Sequence, residues 1–81
     1  MAKIRVLIVD DHTLFRESLR SLLKRDSSIE VVGDVEDGIG AVAKAVQLHP
    51  DVVLMDVVMP KMNGMVATRR IKRESPSVKI W

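Results

Sequence analysis

Asp51-Val-Val-Leu-Met-Asp56-Val-Val-Met-Pro60 decides the fold of this 81-residue chain. Apart from Asp56, every residue from Val52 to Met59 is apolar, and Pro60 ends the run. An apolar run of strand length, rich in Val and bounded by a turn residue, reads as a strand buried on both faces. Such strands belong to parallel sheets covered by helices. Asp56 then falls at or near the carboxyl end of its strand, the edge at which open α/β sheets place their chemistry.

Working outward, the same pattern recurs. Residues 3–10, KIRVLIVD, form a first strand, and Thr13 to about Lys24 a helix. Phe15, Leu19, Leu22 and Leu23 make its apolar face, with Arg16, Glu17, Arg20 and Lys24 opposite. Asp11 or Thr13 supplies its cap, and Asp26-Ser27-Ser28 a turn. Ile29–Gly33 is a second strand, Asp34–Gly38 a loop, and Ile39–Leu48 a weaker helix burdened by two glycines, at about 1 kcal/mol each relative to Ala. Ile39, Val42, Ala43 and Val46 are its expected inner residues, and His49-Pro50 its end. Beyond Pro60, Asn63 caps a third helix running to about Glu74, with Met65, Val66, Ala67 and Ile71 inward. Ser75-Pro76-Ser77 turns into a fourth strand beginning at Val78. The order β-α-β-α-β-α-β predicts a parallel sheet with right-handed crossovers.

Composition narrows the function. No Cys is present, which excludes disulfides and thiolate chemistry. One Phe, one Trp and no Tyr leave no stacking platform for single-stranded nucleic acid, and a net charge of +2 is too small to imply nucleic acid by its field. The apolar start is too short for a membrane span and lacks a signal-peptide pattern, so a cytoplasmic protein with no membrane partner is expected. Gly33, Gly38, Gly40 and Gly64 form no nucleotide-binding motif. Asp34, Glu36 and Asp37 lack the spacing of a calcium loop. The cations Arg69, Arg70, Lys72 and Arg73 read as a solvated helix end that suits the dipole.

The carboxylates carry more. In a parallel sheet Asp10 and Asp11 end the first strand at the same edge as Asp56. A single strand-end Asp is usually a solvated turn residue, but a carboxylate inside an apolar strand is costly without a partner. Three converging carboxylates would repel unless a cation joined them. Mg²⁺ suits one or two carboxylates, water and phosphate oxygens, and a carboxylate beside it can attack phosphorus. His12 reads as a solvent-facing residue at the helix start.

The blocks VLIVDDHTLFRESLRSLL (6–23), VVGDVEDG (31–38) and HPDVVLMDVVMPKMNGMVATRRIK (49–72) resemble bacterial two-component response regulators. More narrowly, they are similar to the NarL/FixJ-type receiver domain that controls LuxR-type outputs. The resemblance implies a flavodoxin-like fold of strand order 2-1-3-4-5. It implies that Asp56 accepts a phosphoryl group from a phosphohistidine of a sensor histidine kinase. Asp11, Asp56 and the backbone carbonyl of Val58 would hold Mg²⁺, with Asp10 assisting through water. The protein would be a phosphoacceptor promoting its own phosphorylation rather than an enzyme on other substrates. A phosphatase with an aspartyl intermediate is disfavoured, because Val58 stands where a second Asp is required.

Departures accompany the resemblance. The family uses a hydroxyl residue ending strand four and a Lys ending strand five, and Thr13, Thr68 and Lys79 match neither. Residues 1–81 are therefore expected to be a partial receiver, β1-α1-β2-α2-β3-α3 and the start of β4, with no output domain and no direct contact to nucleic acid. Asn63 replaces a common Asp, and Gly40 a frequent Glu. The competing expectation is a non-switching interaction module, a homodimer or higher oligomer formed through an exposed sheet edge.

Overall fold

A computed structural model of the chain describes residues 3–55 and 64–81. Strand β1 (Ile4–Val9) leads into helix α1 (Thr13–Lys24), then β2 (Ile29–Val35), α2 (Gly38–Leu48), β3 (Val52–Met55), α3 (Gly64–Glu74) and β4 (Lys79–Ile80). The strands form one sheet in the order β2-β1-β3-β4, with every pair parallel. Each connection between parallel strands needs a crossover, which the helices supply. This is the expected flavodoxin-like order over four strands.

Alternation along the central strands divides the sheet into two sides. Leu7, Val9 and Val53 point to one side and are fully or almost fully buried with Ala41, Ala45, Ile71 and Val78. Burying such an aliphatic side chain contributes about 1.5–3 kcal/mol, so this side, covered by α2 and α3, holds the fold together. The other side is covered by α1 over β1 and β2. Helix α1 has no buried residue. Leu19 and Leu23 are half-buried, whereas Phe15 and Leu22 of the expected inner face are more than half exposed.

The second strand is longer than its sequence suggests. The register of β1 against β2 slips between Val6 and Leu7, which pair with Val31 and Gly33 and leave Val32 as a bulge. Pairing then continues through Asp34 opposite Ile8 and Val35 opposite Val9. A one-residue slip reverses the face each later side chain takes. Asp34, expected in a loop, is thereby a strand residue on the α1 side.

Helix α2 also departs from expectation. Gly38, Ala41 and Ala45 are its buried residues, whereas of the four expected inward Ile39, Ala43 and Val46 are exposed and Val42 is partly inside. The helix packs on both the sheet and α3, and small residues let backbones approach closely there. Asp37 caps it, its carboxylate accepting the Gly40 N–H at 2.7 Å. His49 ends it in the left-handed region at φ 49°, before Pro50. In α3, Ala67 and Ile71 are buried, but Met65 and Val66 are exposed. Lys72 of the basic run is not simply solvated: its Nζ donates to the carbonyls of Pro76 (2.9 Å) and Val78 (2.6 Å), tying α3 to the turn before β4. No helix among the described residues is long and apolar enough to cross a membrane.

Candidate functional site

Parallel pairing brings the carboxyl ends of β1 and β3 together. Val9 is the register partner of Met55. Asp10 follows Val9, and Asp56 follows Met55 in sequence. Asp56 and Val58 lie outside the described residues, as do Met59, Met62 and the expected cap Asn63.

Asp10 is the one buried charged residue among those described, and it is held from several directions. Its backbone N–H donates to Val35 O at 3.1 Å, extending the β1–β2 ladder by one bond. Its Oδ1 accepts the backbone N–H of His12 at 2.8 Å. The same oxygen stands 2.9 Å from Nδ1 of His12, which is also 3.0 Å from Oδ1 of Asp11. These three side chains form a cluster whose ligand atoms all lie within 4.8 Å of one another. His12, expected to face solvent, is 72% exposed, yet its ring turns Nδ1 toward both carboxylates. It is also the N-cap residue of α1, without a side-chain capping bond, so neither Asp11 nor Thr13 takes that role.

The Oδ1 of Asp11 is the informative atom. It is buried, and no donor reaches it with hydrogen-bond geometry despite the nearby ring. A buried carboxylate oxygen left unsatisfied costs about 1–3 kcal/mol or more. A hard dication would satisfy it and would remove the repulsion between Asp10 and Asp11. The residues present therefore fit a Mg²⁺ ion held through carboxylate oxygens, with solvent-facing positions free for water.

Behind the cluster lies a basic brace that sequence periodicity does not reveal. Spacing puts Arg16 on the outer face of α1, but only 14% of its side chain is exposed. Its Nη1 donates to the carbonyl of Asp10 at 2.6 Å, while Nε lies 3.5 Å from Oδ1 of Asp34, an ion-pair contact too long for a hydrogen bond. Arg20 Nη1 pairs with the other oxygen of Asp34. No pattern in the sequence singles these residues out, because the bulge at Val32 is what brings Asp34 to the α1 side. Asp34 and Asp37 thus both have structural partners, which agrees with the absence of a calcium-loop pattern.

A cleft of about 290 Å³ opens beside the cluster, between α1 and β3, lined by Ile8, Phe15, Leu19, Leu54 and Trp81 with Asp10 at its end. It is apolar apart from Asp10.

The family profile "Response regulator receiver domain" matches residues 6–81. The transcriptional regulatory protein DegU of Brevibacillus brevis is 47% identical over 78 residues, covering 96% of this chain and 33% of that protein. The response regulator protein VraR of Staphylococcus aureus is 47% identical over 77 residues, covering 95% of this chain and 37% of VraR. Among solved structures, the signal receiver domain of the regulator NarL from Mycobacterium tuberculosis superimposes with a TM-score of 0.92 at 34% identity, over 99% of this chain and 64% of that one. The response regulator domain of Thermotoga maritima CheB gives 0.91 at 38% identity, over 96% of this chain and 57% of that one. The chain thus spans about a third of the length of DegU and VraR.

Proposed function

Because the chain belongs to the response regulator receiver domain family, we propose that it accepts a phosphoryl group on Asp56 from a phosphohistidine of a sensor histidine kinase. The observation that carries this reading is the buried, hydrogen-bond-free Oδ1 of Asp11 beside Asp10, at the sheet edge where β1 and β3 end. Asp10, Asp11, Asp56 and the carbonyl of Val58 would hold Mg²⁺, which when bound neutralises charge on the transferring phosphoryl group. A carboxylate oxygen of Asp56 forms the new bond to phosphorus as the bond from phosphorus to the donor's imidazole nitrogen breaks. The departing imidazole nitrogen takes up a proton from solvent as the phosphorus–nitrogen bond breaks. Arg16 holds the Asp10 carbonyl, and with it the β1–α1 loop, in place during the transfer.

In this reading the chain is a phosphoacceptor that promotes its own modification, and the cell compartment is the cytoplasm, where sensor kinases present their phosphohistidines. Control of transcription would belong to a DNA-binding partner domain, as the relatives' names suggest. The test is intact-mass analysis after incubation with a small phosphodonor and Mg²⁺. One phosphate adduct is expected, dependent on Mg²⁺ and absent from Asp56→Asn. An adduct that survives the substitution would sink the assignment.

A second reading is favoured by a separate observation. Leu14, Phe15, Leu22 and Trp81 are each more than half exposed, on or beside the α1 side of the sheet. In it the chain is a non-switching module that forms a homodimer or larger assembly by covering this side or by pairing along β4.

A further inference from the structure

We infer that Asp34 on β2 is a positioning residue for the carboxylates of Asp10 and Asp11, acting through the guanidinium of Arg16. The inference rests on the cation site proposed above and concerns what holds that site in shape.

Both peptide planes that flank Asp10 are tied to neighbouring residues at the end of β2. The Asp10 N–H, in the plane shared with Val9, donates to the carbonyl of Val35 at 3.1 Å. The Asp10 carbonyl, in the plane shared with Asp11, accepts from Arg16 Nη1 at 2.6 Å. A peptide unit is rigid, so fixing that carbonyl fixes the direction in which the chain leaves for Asp11. The consequence falls on Asp11 Oδ1, which is buried and accepts no hydrogen bond. The backbone from which that oxygen hangs therefore sets its place.

Asp34 in turn sets the direction of Arg16. The guanidinium is planar, so placing its Nε also aims its Nη1. Nε lies 3.5 Å from Asp34 Oδ1, while Arg20 Nη1 pairs with Oδ2. Neutralising one carboxylate takes one arginine, which Arg20 supplies. The second, Arg16, has its Nη1 left for Asp10. The side chains of Arg16 and Asp34 are 14% and 30% exposed, so solvent screens their attraction only in part. Asp34 reaches this side because of the bulge at Val32, after which Asp34 pairs with Ile8 and Val35 with Val9. The register slip thus delivers both anchors, one side chain and one carbonyl, to the loop that carries the acids.

The experiment measures the 81-residue chain with and without Mg²⁺. Calorimetric titration with Mg²⁺ compares wild type, Asp34→Asn, Arg16→Gln, the double variant and Arg20→Gln. Asp34→Asn and Arg16→Gln are each expected to lose about tenfold in Mg²⁺ affinity, with the double variant within about twofold of Arg16→Gln. Arg20→Gln, which unpairs the same carboxylate without touching Asp10, should stay within about twofold of wild type. In the metal-free chain the His12 amide donates to Asp10 Oδ1. Its hydrogen exchange should quicken about tenfold in Asp34→Asn, relative to Val53 on β3. Losses that add in the double variant would make Asp34 a distant charge felt by the ion and overturn the inference. So would unchanged Mg²⁺ affinity or His12 exchange in Asp34→Asn, or an equal loss in Arg20→Gln, which would reduce the effect to a loosened α1. Should Asp34→Asn not fold, NMR of the wild-type Asp34 carboxyl carbon decides instead. Mg²⁺ should shift that resonance, because coupling is reciprocal, and the shift should vanish in Arg16→Lys. No shift, or one that survives in Arg16→Lys, overturns the inference. Failure of the underlying cation site reads differently: Mg²⁺ affinity would be indifferent to Asp11→Asn, while the metal-free exchange at His12 would still judge the brace.

Discussion

Arg16 joins three parts of the molecule that are distant in sequence: helix α1, the Asp10 carbonyl at the end of β1, and Asp34 on β2. Its charge is mostly buried, so its value lies in having both partners at once. Removing it would leave the Asp10 carbonyl without this donor and Asp34 with Arg20 alone. Arg16→Met is expected to destabilise the chain by about 2 kcal/mol, read from urea unfolding. Arg16→Lys should recover less than half of that, because one compact ammonium cannot reproduce the guanidinium fork. Full recovery by Lys would mean that charge alone matters at this position. His12 makes a related point. Its exposure is legible from its residue type, but its direction toward the carboxylates is not, since a side-chain torsion leaves no trace in sequence spacing.

Elements differ in how much of them the sequence carries. Helix α1 has the expected bounds, because its apolar spacing and the Asp26-Ser27-Ser28 turn agree. Helix α2 lies where the sequence puts it but turns a different face inward. Ranking its side chains by hydrophobicity favours Ile39 and Val46, whereas close packing between the sheet and α3 selects Ala41 and Ala45. The turn between α1 and β2 has its own electrostatics. Asp26 Oδ1 accepts the Ser28 hydroxyl (2.6 Å) and the Ser28 N–H (2.9 Å). The hydroxyl first, then the backbone bond, holds the Asp26 carboxyl below the ordinary aspartate value of 3.8. A group depressed in the folded state stabilises above its unfolded value, and that contribution is lost as pH falls through the folded one. The unfolding midpoint in urea should therefore fall as pH drops below 3.8. In Ser28→Ala the part of this fall due to Asp26 should shrink. Identical pH profiles for the two proteins would rule out this linkage.

At the scale of the whole molecule, the two sides of the sheet are unequal. One side is closed by α2 and α3 over fully buried aliphatic residues. Among the described residues the other carries a single helix, α1, with no buried residue, beside an apolar cleft that reaches Trp81. The expected apolar stripe on α1 is thus real in sequence and finds little to cover it among the described residues. Such a surface favours self-association. Light scattering is expected to show a mean mass rising with protein concentration, and Phe15→Glu with Leu22→Glu should return it toward the monomer. A monomer at every concentration would remove the basis for the interaction-module reading.

By itself the sequence determined the element order, the parallel sheet and the position of Asp10 and Asp11 at the carboxyl end of β1. Alternation between apolar runs and helical periodicity is local, and a parallel sheet aligns all strand ends. The three quoted blocks added the family. Only the tertiary structure decided the bulge at Val32, the turning of Asp34 toward α1, the inward turn of the Arg16 side chain and the inward face of α2. Each depends on how elements distant in the chain meet. A one-residue slip in register, or the depth at which two helices pack, is settled by the sum of contacts across the interface and not by any residue's own preference. Asp56 entered as the odd charge in an apolar run. What surrounds Asp10 and Asp11, an unsatisfied carboxylate oxygen, a ring nitrogen and an arginine brace, came from the fold.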